Sequence, residues 1–225
     1  MSDLECTMPT PRAYVTARGL RISAGSALFF ALVIVVIGCG PPSDAANPPA
    51  PSASAAQPAE LKGDKMMAIN STSGAFEPGK PIPKPYTGDG DDRSPPLAWN
   101  GVPAGAKELA LICDDPDAPT PKPWVHWVIY KIPADTKSLE EGIPRKPQPP
   151  IPNGALQGVN SFPSDNIGYR GPAPPKGHGV HHYHFKLYAL DTPLDLKPAL
   201  DKDQVLAAMK GHIVGEGEIV GTYER

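Results

Sequence analysis

Proline occurs 31 times in this chain of 225 residues, and its distribution leaves room for few regular elements. Glycine adds a further 22 residues. Proline disrupts helix interiors and central strands, whereas glycine favours turns. We therefore expect linker segments together with a folded part that is rich in loops. Because the three cysteines (Cys6, Cys39 and Cys113) are few and widely spaced, the folded part must be stabilised by a packed core rather than by disulfides.

The charge balance argues against nucleic acid as a partner. Lysine and arginine total 21, aspartate and glutamate total 24, and the formal net charge is -3. A chain that binds a polyphosphate backbone normally carries a basic excess. The sequence also lacks a Gly-x-Gly-x-x-Gly fingerprint after a strand, a Walker loop and a Gly-x-Ser-x-Gly elbow. The acidic stretch 89–92 is followed by Arg93 and predicts a solvated turn rather than a calcium loop.

The first forty residues have the pattern of an export signal. Three arginines lie within residues 1–21, and residues 22–37 are almost wholly apolar. The sequence 36–39 (VIGC) resembles a bacterial lipobox, which implies that 1–38 is a lipoprotein signal peptide and that Cys39 becomes the lipidated N-terminus. An uncleaved transmembrane helix is the alternative, but sixteen apolar residues (22–37) are fewer than the roughly 20 that a bilayer requires.

Residues 39–61 are expected to form a tether that follows the lipidated cysteine. This stretch is rich in proline, alanine and serine and has no large apolar cluster, so it cannot bury enough surface to fold. The expected plan is a lipid anchor, a tether and a folded domain over 62–225. The protein would then be exported and held at a bacterial membrane, on its periplasmic or cell-surface side.

The folded part is predicted to be mainly β. Short apolar or alternating runs predict strands, and a proline-free run after Asp201 predicts one helix that ends at Gly211. The expected strands are 109–113, 124–132, 181–190 and 219–223, and the expected helix is 202–210, with Leu206 and Met209 on one face. Nine prolines between 144 and 175 predict a long irregular loop, which is often functional in a compact domain.

Four polar side chains are candidates for a common site. Asp115 follows the first of these strands, and His126 lies within the aromatic second strand. Strand alternation puts His181 and Tyr183 on the same side of the third. If these three strands are neighbours, one carboxylate, two imidazoles and a phenol can meet at one edge of the sheet. The remaining histidines are expected at the surface or in structural roles, and Cys113 is expected to be a buried, inert strand residue.

Several ordered blocks resemble the phosphatidylethanolamine-binding protein family, in particular its bacterial YbhB/YbcL or Raf-kinase-inhibitor-like branch. The blocks are 115–119 (DPDAP), His126 with Trp127, and 174–183 (PPKGHGVHHY), supported by 94–99, 101–103, 160–171, 210–213 and 220–223. The resemblance implies a Greek-key-like fold with a large antiparallel sheet, a smaller sheet and few short helices, one of them near the C-terminus.

The resemblance also implies a pocket that binds a small anion, a phosphoryl group or a phospholipid headgroup. Carried over by position, its residues would be Asp115, His126, His181 and Tyr183, together with the backbone at Gly171 and Ala173. The chain departs from the family where Ala173 replaces a common glycine and where His182 replaces a common arginine. A hydroxyl, protonated imidazoles and loop amides can all donate to an anion. Asp115 would orient an imidazole or accept a hydrogen bond from an ammonium group. We therefore expect anion affinity to fall as the pH rises through the histidine range.

Four functions remain open at this point, and a non-enzymatic binding module is favoured. An inhibitor or scaffold of a kinase or protease partner is the second, as some relatives of the family are described. An enzyme is less favoured because no activated serine or cysteine accompanies the polar groups, so we expect no catalytic residue. A metal site is disfavoured because alternation separates His181 from His182 and His184, and no metal or cofactor is expected. The sequence leaves a homodimer open.

Overall fold

The computed structural model describes residues 66–225. The signal peptide predicted for 1–38, the lipidated Cys39 and the tether predicted for 39–61 lie outside the described residues. Within 66–225, no helix is long and apolar enough to cross a bilayer.

The larger of two sheets has six strands and contains every strand that the sequence predicted. In spatial order these are β1 (Met67–Ala68), β9 (Ile213–Tyr223), β8 (His181–Leu190), β4 (Glu108–Asp115), β5 (Trp124–Pro133) and β7 (Leu156–Gln157). The predicted neighbours β8, β4 and β5 lie side by side and antiparallel. The sheet is mixed rather than purely antiparallel, because the two-residue β1 pairs in parallel with β9. A strand this short has no alternation of its own from which its partner could be predicted.

The smaller sheet has three antiparallel strands, in the order β2 (Asn70–Ser73), β3 (Leu97–Asn100) and β6 (Ser138–Leu139). A short 3-10 helix covers Lys84–Tyr86, and α1 covers Lys202–Met209. The predicted mainly β architecture, with one helix near the C-terminus, is confirmed.

Two apolar layers cover the two faces of the large sheet. Along β4, the side chains of Leu109, Leu111 and Cys113 belong to the core that includes the small sheet. The alternate residues Ala110 and Ile112 belong to a second core, to which α1 contributes. Strand alternation therefore buries both faces, and the residue that follows Cys113 by two positions, Asp115, lies on the face of the first core.

Helix α1 begins with a capping box at Asp201. The Asp201 carboxylate accepts a hydrogen bond from the Gln204 backbone at 2.8 Å, and the Gln204 side chain accepts one from the Asp201 backbone at 3.0 Å. These bonds satisfy amides that the first turn leaves unpaired. The buried side chains are Val205 and Met209, whereas Leu206 is partly buried. Leu206 and Met209 both pack against the second core, as expected from their spacing, and Val205 joins them.

A β-bulge at His126 determines which face its imidazole occupies. In the β4–β5 register, Cys113 pairs with Trp127 and Asp114 pairs with Val125, so His126 has no opposite residue. The bulge puts two consecutive side chains on one side of the strand. His126 consequently joins Trp127 on the side of Asp115 rather than lying on the opposite face.

Candidate functional site

A cavity of about 240 Å³ opens where β4, β5 and β8 come together. Five of the six predicted site residues line it, namely Asp115, His126, Ala173, His181 and Tyr183. The rest of the wall is Ala118, Pro119, Thr120, Trp124, Phe162, Pro174 and Pro175. Sites for drug-sized ligands usually measure about 300–1,000 Å³. This volume therefore suits a small ligand or the end group of a larger one.

Asp115 orients His181. Its Oδ2 accepts a hydrogen bond from Nδ1 of His181 at 2.7 Å, and both side chains are almost completely buried. The other oxygen, Oδ1, accepts from the Asp117 backbone at 2.8 Å. Because both carboxylate oxygens are occupied, Asp115 fixes the ring orientation and the Nδ1 proton of His181. This arrangement matches the orienting role expected for Asp115.

Both ring nitrogens of His181 have partners. Its Nε2 lies 2.8 Å from Nδ1 of His178, whose side chain is exposed on the loop before β8. The three residues Asp115, His181 and His178 therefore form a continuous hydrogen-bonded chain from the core to the surface. The sequence indicated only a surface or structural role for His178.

His126 also has a fixed tautomer. Its Nδ1 donates to the backbone carbonyl of Arg170 at 2.6 Å, because a carbonyl oxygen can only accept. Burial lowers the pKa of His126, since the apolar surroundings disfavour the charged ring, although the Arg170 carbonyl and Asp115 oppose this shift. A neutral His126 presents an unprotonated Nε2, which is a hydrogen-bond acceptor; only the protonated ring donates from both nitrogens.

Tyr183 brings a hydroxyl that has no partner. The side chain is 1% exposed, and its oxygen makes no hydrogen bond within the described part of the chain. Burial raises the pKa of Tyr183 and Asp115 raises it further, so the phenol stays protonated and able to donate. An unsatisfied polar group at this depth is costly, and a ligand in the cavity is the natural group to satisfy it.

Two aromatic side chains that the sequence did not single out form an apolar wall. Trp124 and Phe162 meet edge to face with their ring centroids 5.5 Å apart, and Phe162 meets His126 in the same way at 5.4 Å. The His126 ring also stands edge to face against Tyr183 at 5.1 Å. Trp124 is the first residue of β5 and lies two positions before His126. This spacing was the sequence signal that could have placed Trp124 near the site. Phe162 belongs to the long proline-rich loop.

Gly171 does not line the cavity, in contrast to its expected role. Its N–H donates to Oδ1 of Asp92 at 2.6 Å and is therefore not available to a ligand. A Cβ on Gly171 would lie 2.6 Å from the Tyr86 carbonyl oxygen and 2.7 Å from the Thr87 Cα. Glycine is required here because two backbone segments pack against each other.

Ion pairs hold the loop that lines the cavity. Asp92 binds Arg170, the residue before Gly171, at 2.9 Å and also contacts Arg145 in the segment before β7. Arg225 pairs with Asp89, and its Nη1 lies 3.4 Å from the carbonyl oxygens of both Ala173 and Pro174. The hydrogen bond from Arg225 to Asp89 lowers the pKa of Asp89 to about 2. Residues of the acidic turn predicted at 89–92 thus hold the loop that lines the cavity.

Asp117 and His182 fasten the loop after β4 to β8. The Asp117 carboxylate accepts from the His182 backbone at 2.8 Å and from its Nδ1 at 2.7 Å. Neither residue lines the cavity. Across residues 66–225, no three histidine, cysteine, aspartate or glutamate side chains are grouped to hold a metal ion.

Sequence comparisons identify relatives over most of the chain. The family model for phosphatidylethanolamine-binding protein matches residues 72–224. A protein of Methanothermobacter thermautotrophicus named UPF0098 protein is 53% identical over 157 residues, which are 70% of this chain and 99% of the relative. A UPF0098 protein of Pyrococcus abyssi is 45% identical over 163 residues, which are 72% of this chain and 88% of the relative.

Two solved structures share this fold at substantial identity. Escherichia coli YbcL, described as a new member of the mammalian PEBP family, has 34% identity and a TM-score of 0.65, and the match covers 70% of this chain and 98% of that chain. A putative phosphatidylethanolamine-binding protein homologue from Chlamydia trachomatis has 40% identity and a TM-score of 0.62, with the same two coverages.

Proposed function

Because the chain belongs to the phosphatidylethanolamine-binding protein family, with the family model matching residues 72–224, we propose that its cavity binds a small anionic group. The class includes inorganic phosphate, a small carboxylate and the phosphoryl end of a phospholipid headgroup. The binding residues are Tyr183, His126 and His181, with Ala173 in the wall and Asp115 as the residue that orients His181.

The observation that carries this proposal is the unpartnered hydroxyl of Tyr183. The phenol is buried and protonated, its ring stands against that of His126, and His181 lines the same cavity. A hydrogen bond from such a group to an anion is charge-assisted and stronger than one between neutral groups. An oxyanion would accept a hydrogen bond from the Tyr183 hydroxyl. It would lie beside the polar residues of a cavity wall that is otherwise largely apolar.

The protonation of His126 makes this binding depend on pH. In the free protein the neutral ring offers an acceptor at Nε2, which an anion without a proton cannot use. Once protonated, the same nitrogen donates to the anion and adds a positive charge. Binding is therefore coupled to proton uptake, and affinity increases as the pH falls, as the sequence also led us to expect.

A binding role is favoured over catalysis by the composition of the cavity wall. Its side chains include no serine and no cysteine, and its Thr120 hydroxyl donates to the Lys122 carbonyl. Cys113 is buried outside the wall, and burial raises the pKa of its thiol well above the ordinary value. An activated nucleophile needs the opposite shift or an adjacent base. We accordingly assign the chain a non-enzymatic role.

We also propose that the protein is exported and anchored through a lipid on Cys39. The support is the sequence pattern alone, namely the apolar run 22–37, the residues 36–39 and the proline-rich stretch 41–60. A lipid and a tether would hold the binding domain near a membrane without inserting it.

The replacement Tyr183→Phe tests the binding proposal. We expect it to weaken the binding of inorganic phosphate about tenfold in calorimetry at pH 6, the effect of removing one hydrogen bond to a charged group. The matched control is Tyr188→Phe, on the face of β8 that packs against the α1 side, and its affinity should stay unchanged.

The same variant also has a stability signature. Because the Tyr183 hydroxyl has no protein partner, its removal should leave the thermal unfolding temperature unchanged or raise it. Equal phosphate affinity in the Tyr183 variant and the wild-type protein would remove the basis of the proposal.

A further inference from the structure

Two aromatic side chains of the cavity wall, Trp124 and Phe162, belong to neither apolar core of the described residues. Both are partly exposed, and both line the cavity. The other tryptophans and phenylalanines of 66–225 are buried in the first core, namely Phe76, Trp99, Trp127 and Phe185. Contact between an aromatic ring and water is unfavourable. A ligand that covers Trp124 and Phe162 therefore gains from the hydrophobic effect.

The rings of the cavity form one row with an apolar end and a polar end. Trp124 meets Phe162 edge to face with ring centroids 5.5 Å apart. Phe162 meets His126 in the same way at 5.4 Å, and His126 meets Tyr183 at 5.1 Å. The unpartnered hydroxyl belongs to Tyr183, at the end of the row away from Trp124. A ligand that matches this row is anionic at one end and apolar at the other.

The apolar end of the row is held in place before a ligand arrives. The guanidinium of Arg170 lies 4.7 Å from the centroid of the Phe162 ring, and the Phe162 backbone N–H donates to the Asn160 side chain at 3.0 Å. Arg170 is itself paired with Asp92 at 2.9 Å. The Phe162 ring cannot turn away without losing its cation–π contact. A wall that is already ordered costs a ligand little conformational entropy.

The charge of the wall favours an anion with a single negative charge. Among the described residues that line the cavity there is no lysine and no arginine, and Asp115 adds a carboxylate. A phosphate monoester carries a charge of about −1.5 to −2 at pH 7 and three acceptor oxygens. A carboxylate has one charge and two oxygens, so it needs fewer donors and less positive charge. Inorganic phosphate, moreover, has no apolar atom with which to cover the rings.

A ligand with an ammonium group against the same rings is less well matched. Aromatic faces attract cations, but a desolvated cation also needs a carboxylate partner. Both oxygens of Asp115 already accept hydrogen bonds, from His181 at 2.7 Å and from the Asp117 backbone at 2.8 Å. The wall therefore supplies aromatic surface without a free counter-charge.

We propose that the ligand is an aromatic carboxylate, with its carboxylate at the Tyr183 end of the row and its ring against Trp124 and Phe162. The inference rests on the proposed function and narrows the class of anion. Trp124 and Phe162 are then specificity-determining residues, because they select anions that carry a ring.

Calorimetric titration of the full-length chain at pH 6 with benzoate and with acetate tests this inference. The two ions share a carboxylate and differ in the ring. We expect benzoate to bind about tenfold more tightly than acetate, because the ring leaves water and makes edge-to-face contacts.

Two kinds of variant separate the ring from the carboxylate. Trp124→Leu should weaken benzoate binding about fivefold through the lost ring contact, and should leave acetate affinity within about twofold because the carboxylate end is unchanged. Phe162→Leu provides the same comparison at the neighbouring ring. Tyr183→Phe should weaken both ions by the same factor. The control Ile151→Ala removes an exposed apolar side chain outside the wall and should change neither affinity.

The outcomes distinguish this inference from the proposed function. If the wild-type protein binds acetate and phosphate but binds benzoate no more tightly than acetate, the aromatic ligand is refuted and the anion site stands. If none of the three ions binds, the proposed function fails and the inference fails with it.

Two further ligands test the ligand class in the wild-type protein. Phenyl phosphate keeps the ring but carries more charge, and glycine betaine replaces the ring by an ammonium group. Both should bind less tightly than benzoate, and tighter binding of either would overturn the proposal. A preference for benzoate over acetate that persists undiminished in both Trp124→Leu and Phe162→Leu would also overturn it.

Discussion

At the scale of single residues, two histidines in the same cavity donate their Nδ1 protons to different kinds of acceptor. His181 donates from Nδ1 to a carboxylate, whereas His126 donates from Nδ1 to a backbone carbonyl. The cavity thus combines one imidazole that is oriented by a buried carboxylate with one whose pKa is lowered by burial.

The burial of His126 predicts a loss of stability in acid. Its pKa is lower in the folded protein than in the unfolded chain. The unfolded chain therefore takes up the proton first, and the stability that the neutral ring contributes above about pH 6.5 is lost as the pH falls through the folded pKa.

Replacement of His126 by glutamine should reduce this acid sensitivity. The glutamine amide can still donate to the Arg170 carbonyl but does not titrate. Chemical denaturation between pH 7.5 and pH 5 should show a smaller loss of unfolding free energy in His126→Gln than in the wild-type protein or in the control His212→Gln. An identical pH profile in all three proteins would contradict the assignment.

At the scale of elements, the site depends on how the long loop between β7 and β8 is held against the sheet. Backbone hydrogen bonds run from Ser161 to Val125 and from Arg170 to His126, both at 2.9 Å. Gly171 then passes close to the backbone at Tyr86 and Thr87. The loop is therefore attached to the sheet by backbone hydrogen bonds and close packing, although it has little regular structure.

A methyl group at Gly171 should dislodge this loop. The added Cβ would clash with backbone atoms that cannot rotate away, so Gly171→Ala should cost about 1–3 kcal/mol of stability and weaken phosphate binding. Gly105→Ala is the control, because its Cβ would meet no atom within 4 Å. Thermal melts that show the same unfolding temperature for both variants would contradict the packing described here.

Strands whose sequence contains an apolar run or an apolar–polar alternation were predictable. Strands that form only by pairing with a neighbouring strand were not. β4, β5 and β8 match their predicted ranges closely, because apolar runs or alternation end at acidic residues, at a proline or at a turn. β1 and β7 have two residues each and exist through pairing alone. Their sequences contain too little pattern to reveal a strand.

The same division holds within the site. Alternation correctly put His181 and Tyr183 on one face. The face of His126 depends on a bulge in the register with β4, which no local pattern reports. Gly171 was assigned to the cavity, but its N–H donates a hydrogen bond to Asp92, which lies 79 positions earlier in the chain.

At the scale of the whole molecule, the chain joins a folded β domain to an N-terminal stretch of quite different composition. Residues 41–60 contain proline, alanine and serine in abundance, and the domain carries the cavity. The proposed tether would let the domain sample the space near the proposed lipid anchor. Ligand would then be supplied locally, at a membrane surface.

Replacement of Cys39 tests this plan. In a bacterial host that processes lipoproteins, the wild-type chain should incorporate a labelled fatty acid and sediment with membranes. Cys39→Ser should do neither, because the acceptor thiol is gone. Cys6→Ser, which also removes a thiol from the N-terminal region, should behave like the wild-type protein. Labelling that persists in Cys39→Ser would refute the anchor.

The binding of an anion by the cavity is the central claim, and a crystal structure determined with saturating phosphate at pH 5.5 tests it most directly. We predict one phosphate in the cavity, within hydrogen-bond distance of the Tyr183 hydroxyl and of Nε2 of His126. A cavity that contains water alone, with the Tyr183 hydroxyl still lacking an anionic partner, would contradict the account.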